Sequence, residues 1–273
     1  MLLLQTPTPE VQAGILAAAN TNEELLRNAG RALKLWLNEQ PHLPDDFDEK
    51  RLSLMFLQCK NGMEKAKAAV EMYHTLKRRY PEFLTGRDPC QPWFARTTDT
   101  VFLLPLPELT DDYCRVLLAG NFHPDISTYF VNDVIKLDFM VLEMLISEEV
   151  TPFDIVIIDC ANSGAQHFAK YTLPIIRKFA TVILDGYKIR LNSFHFLNAP
   201  IYVQIVVGLI KLVIKPKLFR RIHVHRGMGN IHQFVPMRIL PDEYGGQAGP
   251  IRDIWRAWKQ KLINNRDWFI ARE

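Results

Sequence analysis

The sequence predicts an α/β fold: a mostly parallel sheet with helices and an apolar helical segment, preceded by a small all-helical N-terminal domain. Three observations carry the prediction. Residues 1–88 repeat apolar positions at helical spacing and hold no strand-like run. After Pro89 and Pro92, short β-rich runs alternate with long helical patterns, as in a covered, largely parallel sheet. Residues 201–214 (IYVQIVVGLIKLVI) are apolar on every side, with only Gln204 and Lys211 polar.

Taken in order, the chain divides into a helical module (1–88), an α/β domain (92–246) and a C-terminal helical tail (247–273). Thr21 with Glu24 three residues on reads as a capping box that opens a helix through Leu25, Ala32, Leu33 and Trp36. Pro41 and Pro44 interrupt it. A second run, Leu52, Met55, Phe56 and Cys59, stops at Asn61 and Gly62. A third, residues 66–79, sets Ala69, Val70, Tyr73 and Leu76 on one face and ends before Pro81. Beyond Pro92, residues 100–104, 113–118 and 153–159 predict strands, with 182–184 a further candidate. Residues 133–146 and 169–179 predict helices. The tail carries Trp255, Trp258 and Trp268 in a basic amphipathic pattern, expected to pack back on the body.

Composition narrows the function classes. Of 273 residues, 48% are hydrophobic and 23% charged, enough to bury a sizeable core. A net charge of +3, without a basic stripe or a recognisable motif, argues against nucleic acid. Cys59, Cys90, Cys114 and Cys160 are widely spaced with no CxxC pair, so free thiols in a reducing compartment are expected. The leucines at 2–4 are cut off by Pro7 and Pro9, too short a run for a signal-peptide core. The expectation is a cytoplasmic monomer with peripheral membrane contact.

A surface helix carries one apolar stripe. In residues 201–214, Tyr202, Ile205, Val206 and Leu209 make one face, while Val203, Val207, Ile210 and Ile214 make another. The segment is too short to span a bilayer. Lys215, Lys217, Arg220 and Arg221 follow it, a cluster suited to anionic headgroups. It reads either as a buried core helix or as a lid over an apolar cavity that also faces a membrane. Gly208, at a cost of about 1 kcal/mol against alanine, serves either bending or close packing.

Phe196 to Pro200 (FLNAP), Lys215-Pro216, Arg221-Ile222-His223-Val224-His225 and residues 240–246 (LPDEYGG) together resemble the lipid-binding half of the CRAL-TRIO family. Trp36-Leu37, Pro41-His42-Leu43-Pro44, Phe56-Leu57 and Pro81-Glu82-Phe83 resemble that family's helical N-terminal module. The resemblance implies the CRAL-TRIO lipid-binding fold with a mobile apolar lid helix at residues 201–214 closing a pocket against the sheet, no catalysis, and no cofactor beyond a bound hydrophobic lipid. It implies a pocket lined by Ile158, Phe179, Val182, Ile183, Leu191, Phe194, Tyr202, Val206 and Ile210. Asp185, Tyr187 and Tyr129 are candidates for its polar contacts. Lys60, Arg190, Lys217 and Arg221 fall on or near phosphoinositide-binding or membrane-binding positions of the family, with Arg220 beside them. The segment after Pro216 is shorter than the family's, and Gln58 stands where the family carries arginine. The implied function is binding and intermembrane transfer of a retinoid, tocopherol, carotenoid or similar lipid. The alternative is a phospholipid- or phosphoinositide-sensing module that regulates a partner.

Catalytic readings are poorly supported. Asp159, Ser163 and His167 are the residue types of a hydrolase triad but lack the GxSxG elbow. His223, His225 and His232 lack an HExxH framework, and no GxxxxGK[ST] or GxGxxG loop is present.

Overall fold

The computed structural model describes residues 3–149, 151, 153–228 and 230–273. Its N-terminal module is built from α1 (Pro9–Ala18), α2 (Glu23–Asn38), α3 (Glu49–Gln58), α4 (Met63–Arg79) and the single turn α5 (Pro81–Leu84). The opening cap of α2 is Asn22, not Thr21. The Asn22 side chain accepts from the Leu25 amide at 2.8 Å, while the Thr21 hydroxyl is buried without a partner. Asp48 caps α3 in the same way. α2 and α3 touch closely at Gly30, where a Cβ would lie 2.2 Å from the Ser53 hydroxyl. Leu33, Leu37, Leu52, Ala69 and Val70 fill the space between these helices.

The second part begins with α6 (Pro92–Thr100) and continues through β1 (Val101–Pro105), β2 (Cys114–Asn121), α7 (Val131–Glu148) and β3 (Phe153–Asp159). There follow α8 (Ala165–Ala169), α9 (Leu173–Thr181), a π-helical turn (Val182–Gly186) and β4 (Leu191–Leu197). Last come α10 (Val203–Lys211), α11 (Pro216–Phe219), β5 (Ile222–Val224), three 3-10 turns, α12 (Ile251–Asn264) and α13 (Arg266–Ile270). The strands lie in the order β1-β2-β3-β4-β5. Only β1 is antiparallel to its neighbour; the other pairings are parallel.

Two elements depart from the sequence expectation. Residues 182–184 form no strand. They extend α9 by a π turn closed by the Tyr187 amide donating to Val182 O at 3.0 Å, with Val182 fully buried. The strand is instead Leu191–Leu197, whose Asn192, Ser193 and His195 hide the usual β-rich composition. His195 is tolerated inside because its two ring nitrogens meet His225 at 3.0 Å and Ser193 at 2.9 Å.

One buried ion cluster joins the two parts. Glu143 of α7 receives Arg87 at 2.8 Å, Arg51 at 3.4 Å, and the hydroxyls of Tyr73 and Tyr187 at 2.7 and 2.5 Å. Burial pushes the Glu143 carboxyl up, but Arg87, Arg51 and the two hydroxyls outweigh it and hold the group far below its ordinary value.

Candidate functional site: the lid face of the sheet

The two faces of the sheet are filled differently. Three strands carry a lateral row, Leu118, Ile157 and His195, that is completely buried. α12 packs at the β1 end of the sheet and on α7, with Trp255 and Trp258 buried. The Trp255 indole N–H donates to Thr98 O at 2.9 Å. The alternate row, Leu117, Val156 and Phe194, points the other way and stays half-accessible. Ile158, next along β3, does the same. β3 is the central strand of five, so packed neighbours should bury its residues on both faces. Surface left on Val156 and Ile158 marks incompletely filled space between the sheet and the helices above it.

α10 covers this face. Val203, Val206 and Val207 are buried, and Val203 and Val207 cluster with Phe196, Ala199 and Cys160; Ile158, Phe194 and Ile210 pack around them. At its start, the Tyr202 hydroxyl donates to Ser163 O at 2.9 Å, and the ring packs on Phe168. The outer side of the same segment is also apolar: Ile201 is 80% exposed, Ile205 67% and Leu212 69%. A Cβ built on Gly208 meets nothing within 4 Å, so this glycine does not serve close packing.

The proposed pocket residues fall into two groups. Ile158, Phe194 and Ile210 pack in the cluster beneath α10; Val206 is buried on the same helix, Tyr202 precedes that helix, and Leu191 is half-buried at the start of β4. Phe179, Val182 and Ile183 belong instead to the seam with the N-terminal module. Val182 is fully buried there, and Phe179 packs on Phe139 with ring centroids 5.6 Å apart. The π turn rotates these side chains relative to the strand expected at 182–184. Of the polar candidates, Asp185 is exposed and Tyr187 is committed to Glu143. Tyr129 remains, its hydroxyl 2.6 Å from that of Tyr171.

Sequence reasoning missed Asp138. This acid of α7 keeps accessible surface although protein surrounds it, and burial pushes its carboxyl up to about 8. Among the described residues it has no hydrogen bond or ion pair. It lies close enough to Tyr129 and Tyr171 to raise both phenols further. The available signal was a lone acid between Leu137 and Phe139 on an otherwise apolar helix face.

The cations gather at the starts of the parallel strands. Arg190 immediately precedes β4 and Arg221 immediately precedes β5. The Phe194 amide donates to Arg221 O at 2.8 Å, and the Arg221 guanidinium donates to Leu191 O. Arg190 stacks on Phe153 at 4.3 Å. Burial, and then Arg221, lower its affinity for its proton. Lys217 and Arg220 are exposed on α11 and just after it, and Lys60 is exposed in the turn after α3. None of these five is ion-paired among the described residues. The sequence signal that was overlooked is wider: residues 186–241 contain no Asp or Glu.

The triad candidates do not converge. The Asp159 carboxylate accepts from Tyr244 and Asn198, the Ser163 hydroxyl from Asn121, and His167 Nδ1 from the Gly164 amide. Of the three, Asp159 lines an open cleft of about 250 Å³ at the carboxyl ends of the parallel strands, together with Asn121, Asn162, Asn198 and Tyr244. His195, His223 and His225 stack on one another. Among the described residues, no group of three or more His, Cys, Asp or Glu side chains is placed to hold a metal.

Residues 101–246 match the model of the CRAL/TRIO domain. The chain belongs to the CRAL/TRIO family. Residues 22–94 match a Pinta-like UBA domain. Among similar proteins, "Alpha-tocopherol transfer protein-like" of Homo sapiens is 28% identical over 239 residues, spanning 85% of this chain and 68% of that protein. Clavesin-2 of Homo sapiens is 30% identical over 162 residues, 57% of this chain and 48% of the relative. Sfh5 shares the fold, with a TM-score of 0.58 at 11% identity, over 91% of this chain and 98% of that one. In this CRAL/TRIO chain no described helix is long and apolar enough to cross a membrane.

Proposed function

We propose that this CRAL/TRIO protein is a non-catalytic carrier that binds a hydrophobic small molecule between α10 and the sheet and exchanges it with anionic membranes. The observation that carries this reading is the two-sided α10 segment. Val203, Val206 and Val207 face the partly filled side of the sheet, while Ile201, Ile205 and Leu212 face outward beside Lys217 and Arg220. Burying about 400 Å² of apolar ligand surface is worth roughly 10 kcal/mol against water. A bilayer offers similar burial, so the transfer step itself can have a small net cost. The outward aliphatics would enter the headgroup boundary, and the cations would hold the protein there.

Similarity to a protein named for alpha-tocopherol transfer supports the carrier reading, and a retinoid, tocopherol, carotenoid or related lipid fits an apolar chamber. The Arg190–Arg221 pair supports a phosphate-bearing headgroup, such as a phosphoinositide, as the membrane contact. The same pair favours the second reading, in which phospholipid occupancy regulates a protein partner. Native mass spectrometry with solvent extraction of the purified protein, followed by vesicle-to-vesicle transfer of the extracted lipid, tests both. A stoichiometric apolar adduct that moves between vesicles without a partner supports the carrier. A phospholipid adduct that alters partner binding supports the sensor. Protein without adduct, binding nothing across a lipid panel, defeats both.

A further inference from the structure

A small cavity of about 20 Å³, room for one water-sized particle, lies at the seam between the helical module and the sheet. Its walls are aliphatic except for Gln58 at the end of α3, Glu149 just after α7, Thr151, and Asp154 in β3. The Glu149 side chain is 6% exposed. Its Oε2 receives Arg115 at 2.5 and 3.0 Å, while its buried Oε1 has no partner among the described residues. Asp154 is 4% exposed and is the register partner of Arg115 across β2 and β3. The Arg115 guanidinium bonds to Glu149 and to Leu106 O, so the Asp154 carboxylate has no hydrogen bond or ion pair among the described residues. Gln58 Nε2 points to Thr151 O at 3.5 Å, which leaves its buried Oε1 as a further unpartnered oxygen.

We propose that this cavity binds one small monovalent cation, of sodium's size, held by the Asp154 carboxylate, Glu149 Oε1 and Gln58 Oε1. The donor atoms are all oxygens, a hard set that suits alkali and alkaline-earth ions over zinc or copper. Acceptors lining one small space need a donor or a positive charge among them, because a buried carboxylate without either is costly. Charge sets the valence. Arg115 balances Glu149, and Asp154 is left with one negative charge that one monovalent ion cancels. A divalent ion would leave an excess positive charge. The bound ion would join α3 to the start of β3 and so tie the helical module to the sheet. This inference stands independently of the carrier reading.

The test uses the full chain at about pH 8, with thermal melts in sodium chloride and in choline chloride at equal ionic strength. At a few times its dissociation constant, sodium should raise Tm by about 2–4 °C over choline, which is too large to enter. Asp154→Asn removes the unbalanced charge and should melt alike in both salts. Gln58→Lys supplies an ammonium in place of the ion and should do the same. Sodium NMR reads the site directly: the wild type should broaden the sodium line, and Asp154→Asn should not. Identical wild-type melts in the two salts, without line broadening, would leave a water in the cavity and overturn the proposal. A sodium response that survives Asp154→Asn would overturn the site. A response to calcium and none to sodium would overturn the valence.

Discussion

Arg190 and Arg221 stand at the starts of two neighbouring parallel strands, and neither has a carboxylate partner among the described residues. The backbone register and a carbonyl contact hold these like charges near one another. Arg190 and Arg221 are half-buried, whereas Lys217 and Arg220 are exposed and can be altered without disturbing the sheet.

Replacing Lys217 and Arg220 with glutamate is therefore expected to weaken binding to anionic vesicles and leave folding intact. Each cation near such a surface contributes about 1 kcal/mol, roughly fivefold, so removing two should cost at least 20-fold. Co-sedimentation with anionic and neutral vesicles at low and high salt checks this. Wild-type binding that ignores salt and lipid charge would remove the electrostatic step.

The two sides of α10 should respond oppositely to charge. Ile205→Glu with Leu212→Glu alters exposed positions and should shift stability by less than about 0.5 kcal/mol while abolishing vesicle insertion. Val206→Asp, together with Ile210→Asp, forces one carboxylate into a buried position of α10 and another against the cluster under the helix. Ligand loading should be lost, with the N-terminal module still folded. Urea unfolding and ligand titration of the two double variants separate these outcomes.

Glu143→Gln should cost about 3–5 kcal/mol, because Arg87 and Arg51 are left buried without their counter-charge. Chemical denaturation measures the loss. Replacing Glu143 and both arginines by apolar residues of similar volume should recover most of it.

Of three buried groups, two carboxyls outweigh one histidine, so their combined contribution to stability is expected to fall with rising pH above about 4 and most steeply near neutrality. His195 is lowered to about 3 by burial and by its histidine neighbours, so its contribution grows as pH rises from 3 to its ordinary value of 6.5 and is constant above that. Asp138 and Asp154 are raised by burial, to about 8 and about 7, and the nearby Glu149 adds to the effect at Asp154. A carboxyl raised on folding stabilises below its unfolded pKa of 3.8, and that contribution is lost as pH climbs through the folded value. Between pH 6.5 and 8 only the carboxyl effect remains of these three, so Tm should fall. Asp138→Asn should flatten the upper part of that decline in a thermal melt.

Helices α2, α3 and α4 of the N-terminal module and strands β1, β2 and β3 were legible because each has a plain period: Ala69, Val70, Tyr73 and Leu76 on α4, the continuous apolar run of β3. β4 and β5 were not, since Ser193, His195 and His223 belong to strands only once they can bond and stack across them. The lid segment was legible as an anomaly, but which of its residues face in could not be read from a helix apolar all round. Register decided that Val203 and Val207 turn inward and Ile205 and Leu212 outward.

By itself, the sequence determined the order of helical module, mixed sheet and apolar segment, because local periodicity and turn residues act over a few positions. It also determined where acid is absent, across residues 186–241, since charge counting needs no coordinates. Only the tertiary structure decided that Glu143 is neutralised by Arg51 and Arg87 while Asp138, five residues earlier on the same helix, is not. The physical reason is that the cost of a buried charge depends on which distant groups reach it. Those groups, Arg51, Tyr73, Arg87 and Tyr187, come from α3, from α4, from the link after α5 and from the end of the π-helical turn, and their meeting is set by packing.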